Sequence, residues 1–478
     1  MNITTTTNAP IVLIVGAGLG GLMLGALLEK LDVPYMILER ATTVKLLGSA
    51  MSIGPTLLPI FQQLGIYDDI VAASKYMTHV EIYNENLESL QRSDYRPIEE
   101  FTGYGHYIIA RPKYYEIMLK QVPSHKVHFG KRVLDISEKD DKVTVHLANN
   151  ETVEGDIVVG ADGAYSAVCE RLYEQLKTKG ELPEGDQEDL PFSCSCLVGQ
   201  TKVLDPEEFP IVKNPISQFR TIIGREKPFS WGLMSTAQNT LCWSVIHCLS
   251  KKTTKEAVEQ RFRNSENSGE WGATPAQTMC DETRDYPLQL GDEKKRTMGD
   301  LYDLTPKELI SKVALEEKVF KTWYYGRVAL MGDACHKLNP SGGHDRCFVC
   351  QFLAMENEDS SAVTAMHDAV ALANLIYSMP TKTSTDIGNI FKEYQEERYP
   401  AVMESFENSQ LMSKITARGI TSAIILCMVT YMPFWLWKKA IGFLPAIPYM
   451  GSVAPFVSAS EQKARAFFEK QQNGATSV

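Results

Sequence analysis

Ile11-Val12-Leu13-Ile14-Val15-Gly16-Ala17-Gly18-Leu19-Gly20-Gly21 is the stretch that decides the fold. Five apolar residues, most of them β-branched, have the look of a strand buried on both faces. Leu22–Leu31 then carries apolar residues at helical spacing, and Tyr35–Leu38 is a second short apolar run ending in Glu39-Arg40. Strand, glycine turn, helix and strand within about 30 residues make a β-α-β unit, the opening of a doubly wound sheet.

Gly16-x-Gly18-x-x-Gly21 has a mechanical logic. Gly16 permits the tight turn, Gly18 lets backbone approach a pyrophosphate, and Gly21 lets the helix pack close on the strand. The N–H groups at the helix start then face the phosphates. Glu39 lies 18 residues beyond Gly21, where a carboxylate accepts hydrogen bonds from the adenosine ribose hydroxyls. A 2′-phosphate would be repelled there, which disfavours NADP, although Arg40 beside it softens the repulsion. On these residues FAD and NAD both stay open.

Around this unit lie 478 residues, 44% hydrophobic and 22% charged. That length suits two or three domains, and the mix excludes a disordered chain, a collagen or a coiled coil. With 48 basic residues against 59 acidic, net −11, the chain has no general footprint for nucleic acid. Ten cysteines are too sparse for a disulfide scaffold, which points to reduced thiols on the cytoplasmic side. Cys347-Phe348-Val349-Cys350 has CxxC spacing but no second pair at zinc-site distance, so no metal is expected. Met1–Pro10 has neither a basic nor an apolar signal region, and no secretory route is expected.

Residues 41–110 alternate short helical and strand-like patches, and Lys126–Phe129, Val143–Leu147 and Asp156–Val159 read as strands. Longer β-rich runs follow at Ser193–Val203, Thr221–Gly224 and Leu241–His247, ahead of a charged region, Lys251–Asp303. They predict a second, substrate-facing domain with a mostly antiparallel sheet. Val363–Met379 reads as a helix.

Two later turns decide the nucleotide. Ile157–Val159 runs into Gly160-Ala161-Asp162-Gly163-Ala164-Tyr165-Ser166, and Arg327–Met331 opens into Gly332-Asp333-Ala334-Cys335-His336, with Pro340-Ser341-Gly342-Gly343 beyond. With the first glycine turn, and in this order, these segments resemble the flavin-dependent aromatic hydroxylases. Within that class they are most similar to the fungal FAD monooxygenases that include terpenoid epoxidases. The resemblance covers about residues 10–440.

It implies an α/β fold: a doubly wound, Rossmann-like FAD-binding domain, a second antiparallel β-sheet substrate domain, and a helical, apolar C-terminal region. The expected division is 10–190 and 321–400 for the FAD domain, 191–320 for the substrate domain and 401–478 for the C-terminal region. Carried over by position, Glu39, flanked by Arg40, would hold the ribose, and Gly48 and Ala50 would border the flavin. Arg111, heading an apparent helix Pro112–Lys120, would lie against the phosphates or flavin. Asp162 would support a central turn serving FAD and an incoming nicotinamide, and it also reads as a plain helix cap. Asp333 would bond the ribityl or pyrophosphate region, and Gly342 and Gly343 would offer amides to the pyrimidine edge. Ala362 would be the next flavin neighbour. His106 and His336 read as structural, and no side chain is singled out as catalyst because the flavin carries the hard chemistry.

The implied activity inserts one oxygen atom of O₂ into a small apolar aromatic or alkene (terpenoid-like) substrate through a flavin C4a-hydroperoxide. NAD(P)H would be a transient reductant, since only one dinucleotide fingerprint is visible. A flavin dehydrogenase or reductase, or an impaired FAD-binding protein, are the alternatives. The last is prompted by a departure from the family pattern: Asp345–Ser361, 17 residues, stands where the family has about one. A surface loop and a gene-model error both fit it.

Gly419–Trp437 is 19 residues without a charge, bordered by Arg418 and Lys438-Lys439. As one helix it would span about 28 Å, with Pro433 kinking its last turn. Ala440–Ser460 is also uncharged but holds Pro445, Pro448 and Pro455. A substrate-covering helix, an interfacial anchor with Trp435 and Trp437 at headgroup depth, and a span are the three readings. Two of them put residues 419–460 against a membrane surface on its cytoplasmic side.

Overall fold

The computed structural model describes residues 9–43, 49–248 except 189, 191 and 225, 273–338 except 292 and 293, 361–416, and six positions between 460 and 469. The first β-α-β unit forms as its sequence dictates. Val12–Val15 and Tyr35–Leu38 are buried at every residue, and Leu19–Lys30 is the helix between them. They belong to a six-stranded sheet in the order Tyr324–Tyr325, Val328–Leu330, Ile157–Gly160, Val12–Val15, Tyr35–Leu38, Val127–His128. All neighbours are parallel except the first hairpin.

The register of this sheet positions everything that follows. Val15 stands opposite both Leu38 and Gly160, and Gly160 opposite Leu330, so four strands end at one level. The glycine turn, Glu39, the Gly-Asp-Gly turn and the Gly332–His336 turn all leave from that carboxyl edge. In a doubly wound sheet this edge is where ligands bind.

Helix Ser361–Tyr377 packs on the first helix, and the long helix Ser384–Thr416 packs against it in turn. The helical reading of this region therefore holds, with the start two residues earlier than the apolar pattern alone suggests. Likewise Arg111 itself, not Pro112, is the first residue of helix Arg111–Leu119.

The second sheet has seven strands in the order Ser311–Glu316, Phe192–Gln200, Leu241–Cys248, Phe229–Ser235, Phe219–Ile223, His79–Asn84, Ser89–Asp94. Every neighbouring pair is antiparallel except Phe219–Ile223 with His79–Asn84. One face buries Ile222, Trp231, Leu233, Trp243 and Val245 against Met279, Met298 and Leu301 of the helices beside it. The indole N–H groups of Trp231 and Trp243 donate to Pro287 O and Thr305 Oγ1, so neither large ring leaves a buried donor unmet. Two of the seven strands come from residues 79–94, far earlier in the chain than the rest. Val80 and Ile82 are their buried positions, and the partner strand that covers them is more than a hundred residues away.

A three-stranded antiparallel sheet, Ala50–Ile53, His106–Ala110 and Lys75–Met77, bridges the two large sheets. Its Met77 and Ile108 pack against Val80 and Phe219 of the seven-stranded sheet. The CxxC pair and the stretch 419–459 lie outside the described residues. Among the described residues no helix is long and apolar enough to cross a membrane.

Candidate functional site

The glycine turn is shaped by what its residues lack. Gly16 adopts φ 107°, and a Cβ there would stand 2.4 Å from the carbonyl oxygen of Ala161 in the neighbouring turn. A Cβ on Gly21 would stand 2.1 Å from the carbonyl oxygen of Gly16. Both positions are closed by backbone, so neither contact can be relieved by a side chain swinging aside. Gly18 differs: among the described residues a Cβ there meets nothing within 4 Å. It immediately precedes the first helix, and among the described residues no side chain caps that helix. The first-turn N–H groups and their partial positive charge are thus left to face open space beside Gly18.

Glu39 follows the second strand. Its two carboxylate oxygens accept from the N–H groups of Ala17 and Ala41, each at 2.8 Å. The carboxylate is therefore held against the glycine turn, and each oxygen retains a lone pair for a further donor. Arg40 is exposed beside it. Burial, with the charge of Glu39 adding to it, pushes the nearby Tyr115 phenol up to about 12.

Ala50 and Arg111 are brought together by strand pairing. Ala50 stands opposite Ala110, and the Arg111 N–H donates to Ser49 O at 2.8 Å. Arg111 is solvent-accessible, yet desolvation lowers its guanidinium pKa while the Asp333 carboxylate acts in the opposite direction. Asp333, half-buried in the turn Gly332–Ala334, lies close enough for its charge to act on Arg111. Among the described residues no group donates a hydrogen bond to its carboxylate.

Asp162 is turned inward. It accepts from the Ser166 hydroxyl at 2.5 Å and from the N–H groups of Ala167 and Val168 at 2.7 and 3.3 Å, at the start of helix Ala167–Lys179. Burial raises its carboxyl pKa, and these donors oppose the shift. The geometry is that of a helix cap that fixes the central turn.

Gly48, Gly342 and Gly343 lie outside the described residues, as do residues 345–360 of the departure from the family pattern. Ala362 sits in the first turn of helix Ser361–Tyr377. One turn on, the Ala365 Cβ is 3.1 Å from where a Cβ on Gly20 would stand and 2.7 Å from one on Gly332. Beyond the departure, then, the chain returns to touch both the first turn and the last.

Asp368 and Arg398 are the residues that sequence reasoning passed over. Asp368 is fully buried and accepts from the Gly332 N–H at 2.9 Å, His336 Nε2 at 2.6 Å and Arg398 Nε at 2.8 Å. Burial alone would raise its carboxyl, but the hydrogen-bonded His336 imidazole and Arg398 guanidinium hold it well below the usual carboxylate range. An aspartate in the apolar run Val363–Met379 was a legible signal that a buried carboxylate needs partners; which partners was not. Cys335, His336 and Asp368 bring potential metal-ligand atoms within 4.8 Å of one another. Three N–H donors, one of them cationic, already occupy this carboxylate, which makes the cluster a hydrogen-bond hub. His336 also packs its ring 5.2 Å from that of Trp323, and His106 lies buried with the Tyr95 ring at 4.9 Å. Both geometries are structural.

A glycine turn, a carboxylate held against it and two further turns on one sheet edge make up a doubly wound nucleotide-binding fold. Residues 10–195 match the FAD binding domain family. The chain is similar to the FAD-dependent monooxygenase paxM of Penicillium paxilli, 25% identical over 445 residues that cover 91% of this chain and 83% of that protein. It is also similar to the FAD-dependent monooxygenase ausM of Aspergillus calidoustus, 26% identical over 87% of this chain and 82% of that one. Among solved structures, Klebsiella pneumoniae HpxO complexed with FAD and uric acid superposes with a TM-score of 0.68 at 18% identity, covering 92% of this chain and 97% of that one. CtdE in complex with FAD and a substrate gives 0.66 at 14% identity, covering 98% of this chain and 100% of that one. The chain is an FAD-binding oxidoreductase related to the fungal FAD-dependent monooxygenases.

Proposed function

We propose that this protein is an FAD monooxygenase that inserts one atom of O₂ into a small apolar aromatic or alkene, terpenoid-like substrate, with NAD(P)H as a visiting reductant. The observation that carries this reading is the convergence of the glycine turn, Glu39 and the Asp333 turn on one sheet edge, with Arg111 close enough to Asp333 for their charges to interact. The residues fit FAD. Gly18 leaves room where a side chain would obstruct, and the uncapped helix start offers N–H donors to a pyrophosphate. Glu39, with Arg40 beside it, would take the ribose hydroxyls, and Arg111, Asp333, Ala50 and Ala362 would surround the remainder. Gly48, Gly342 and Gly343 are proposed to complete the site.

Bound FAD supplies the electron transfer and oxygen activation that no side chain can. The chain's own residues bind and orient it and exclude water. Arg111 adds positive potential where negative charge builds up during reduction. The seven-stranded sheet is proposed to cover the substrate, keeping the reacting atoms dry. Purified protein should be yellow, and with NAD(P)H and an apolar alkene panel it should transfer ¹⁸O from ¹⁸O₂ to product. Oxidation of NAD(P)H with no label in any product would favour a dehydrogenase or reductase instead.

We further propose that residues 419–460 attach the protein to a membrane surface on its cytoplasmic side. The uncharged run, its tryptophans and its Lys438-Lys439 border support this. Truncation after Arg418 should move the protein from membrane pellet to supernatant and spare FAD binding. A full-length protein found wholly in the supernatant overturns the attachment.

A further inference from the structure

We propose that Asp368 is a positioning residue for Asp333, and that it acts by clamping both ends of the Gly332–His336 turn. The inference rests on the reading that this turn borders FAD, and it is independent of oxygen insertion.

Within the turn the Cys335 N–H donates to Gly332 O at 2.9 Å, and Asp368 adds an anchor at each end. Here its first residue, Gly332, adopts φ 59° and donates its N–H to Asp368 Oδ2. Its last residue, His336, donates Nε2–H to the same oxygen. Asp333 lies between these two anchors and takes no hydrogen bond from any described residue, so its orientation is set by the backbone that carries it. The clamp is itself braced. Arg398 Nε, on helix Ser384–Thr416, donates to the other carboxylate oxygen. The Tyr394 hydroxyl of that helix donates to Leu330 O at 3.1 Å, tying down the strand that feeds the turn.

Charge gives the arrangement a second consequence. A lone buried carboxylate under the turn would be costly and would repel Asp333. Paired with Arg398, Asp368 brings little net charge to the site. Asp333 remains the carboxylate whose charge acts on Arg111.

The test is a double-mutant cycle read by FAD titration of the apoprotein, following flavin fluorescence. If Asp368 acts through Asp333, Asp368→Asn should weaken FAD by ~10-fold in the native background, as loss of a charged hydrogen bond implies. It should weaken FAD by less than about twofold when Asp333 is already asparagine, because the coupled term is then absent. Equal losses in both backgrounds would mean a merely structural role and overturn the proposal. Should Asp368→Asn fail to fold, His336 serves in its place. His336→Gln keeps an N–H for Asp368 and should bind FAD within about twofold of the native protein; His336→Phe should lose several-fold, and only while Asp333 is present. Equal affinity for the two His336 variants overturns the clamp. A native protein that binds no FAD overturns the site reading itself, an outcome distinct from additive losses.

Discussion

Two turns leave the same sheet edge and are held by opposite means. The Gly16–Gly21 turn is fixed by absent side chains. The closest contacts of Gly16 and Gly21 are backbone on backbone, at 2.4 and 2.1 Å from where a Cβ would stand, with Ala161 and Asp162 of the adjoining turn and with Gly16 itself. The Gly332–His336 turn is fixed by a buried carboxylate 36 residues away in the chain and by the arginine that neutralises it. The first turn needs only its own residues and the adjoining strand. The second has its own bond from Cys335 N–H to Gly332 O, but its two ends are tied together only once two later helices have packed. One wall of the site is local geometry, and the other is an ion pair that tertiary structure assembles.

If that contrast is right, Gly21→Val should do the most damage. It drives a branched side chain into the Gly16 carbonyl and should cost about 3 kcal/mol or more in urea unfolding, with flavin lost as well. Arg398→Ala attacks the other wall by leaving Asp368 buried without its cation. Breaking such a pair costs about 3–5 kcal/mol, so a drop in stability under 1 kcal/mol would show the far turn to be locally held after all. Glu39→Ala should lower FAD affinity by about tenfold or more, since hydrogen bonds to a charged group contribute roughly 1.5–3 kcal/mol. Unchanged flavin occupancy would remove Glu39 from the ribose.

Gly18→Ala sharpens the comparison within the first turn. Open space surrounds its Cβ position, so apoprotein stability should fall by no more than about 1 kcal/mol, the ordinary cost of a poor helix start. On the proposed placement of the pyrophosphate beside Gly18, FAD affinity should fall further than stability does. A separate effect is seen only in acid. Burial depresses the His106 imidazole to about 4, against an unfolded value of about 6.5. A depressed folded-state pKa means that the unfolded chain binds the proton first. Stability is complete above about pH 6.5 and falls as pH drops toward 4, by about 3 kcal/mol from this group. His106→Leu should flatten that slope in chemical unfolding across the window. A residual slope is expected from His367, which burial also lowers to about 4.

The opening strand, the glycine turn and Glu39 were legible because their physics is short-ranged. A continuous apolar run, a positive φ and a residue at fixed spacing each report on their own neighbourhood. The antiparallel character of the second sheet was legible from its β-rich runs. Its membership was not, since His79–Asn84 and Ser89–Asp94 join it through pairing with a strand more than a hundred residues later. Asp162 could be read as a cofactor residue or a helix cap, and only the folded turn shows its oxygens engaged by Ser166, Ala167 and Val168.

The sequence by itself determined that a strand, a turn without side chains and a helix would meet a dinucleotide, since each of those requirements is met within a few residues of backbone. Only the tertiary structure decided that Asp368, His336 and Arg398 would close on one another beneath the last turn. Their attraction has meaning only once burial has stripped away water and made a lone carboxylate too costly to leave unpaired.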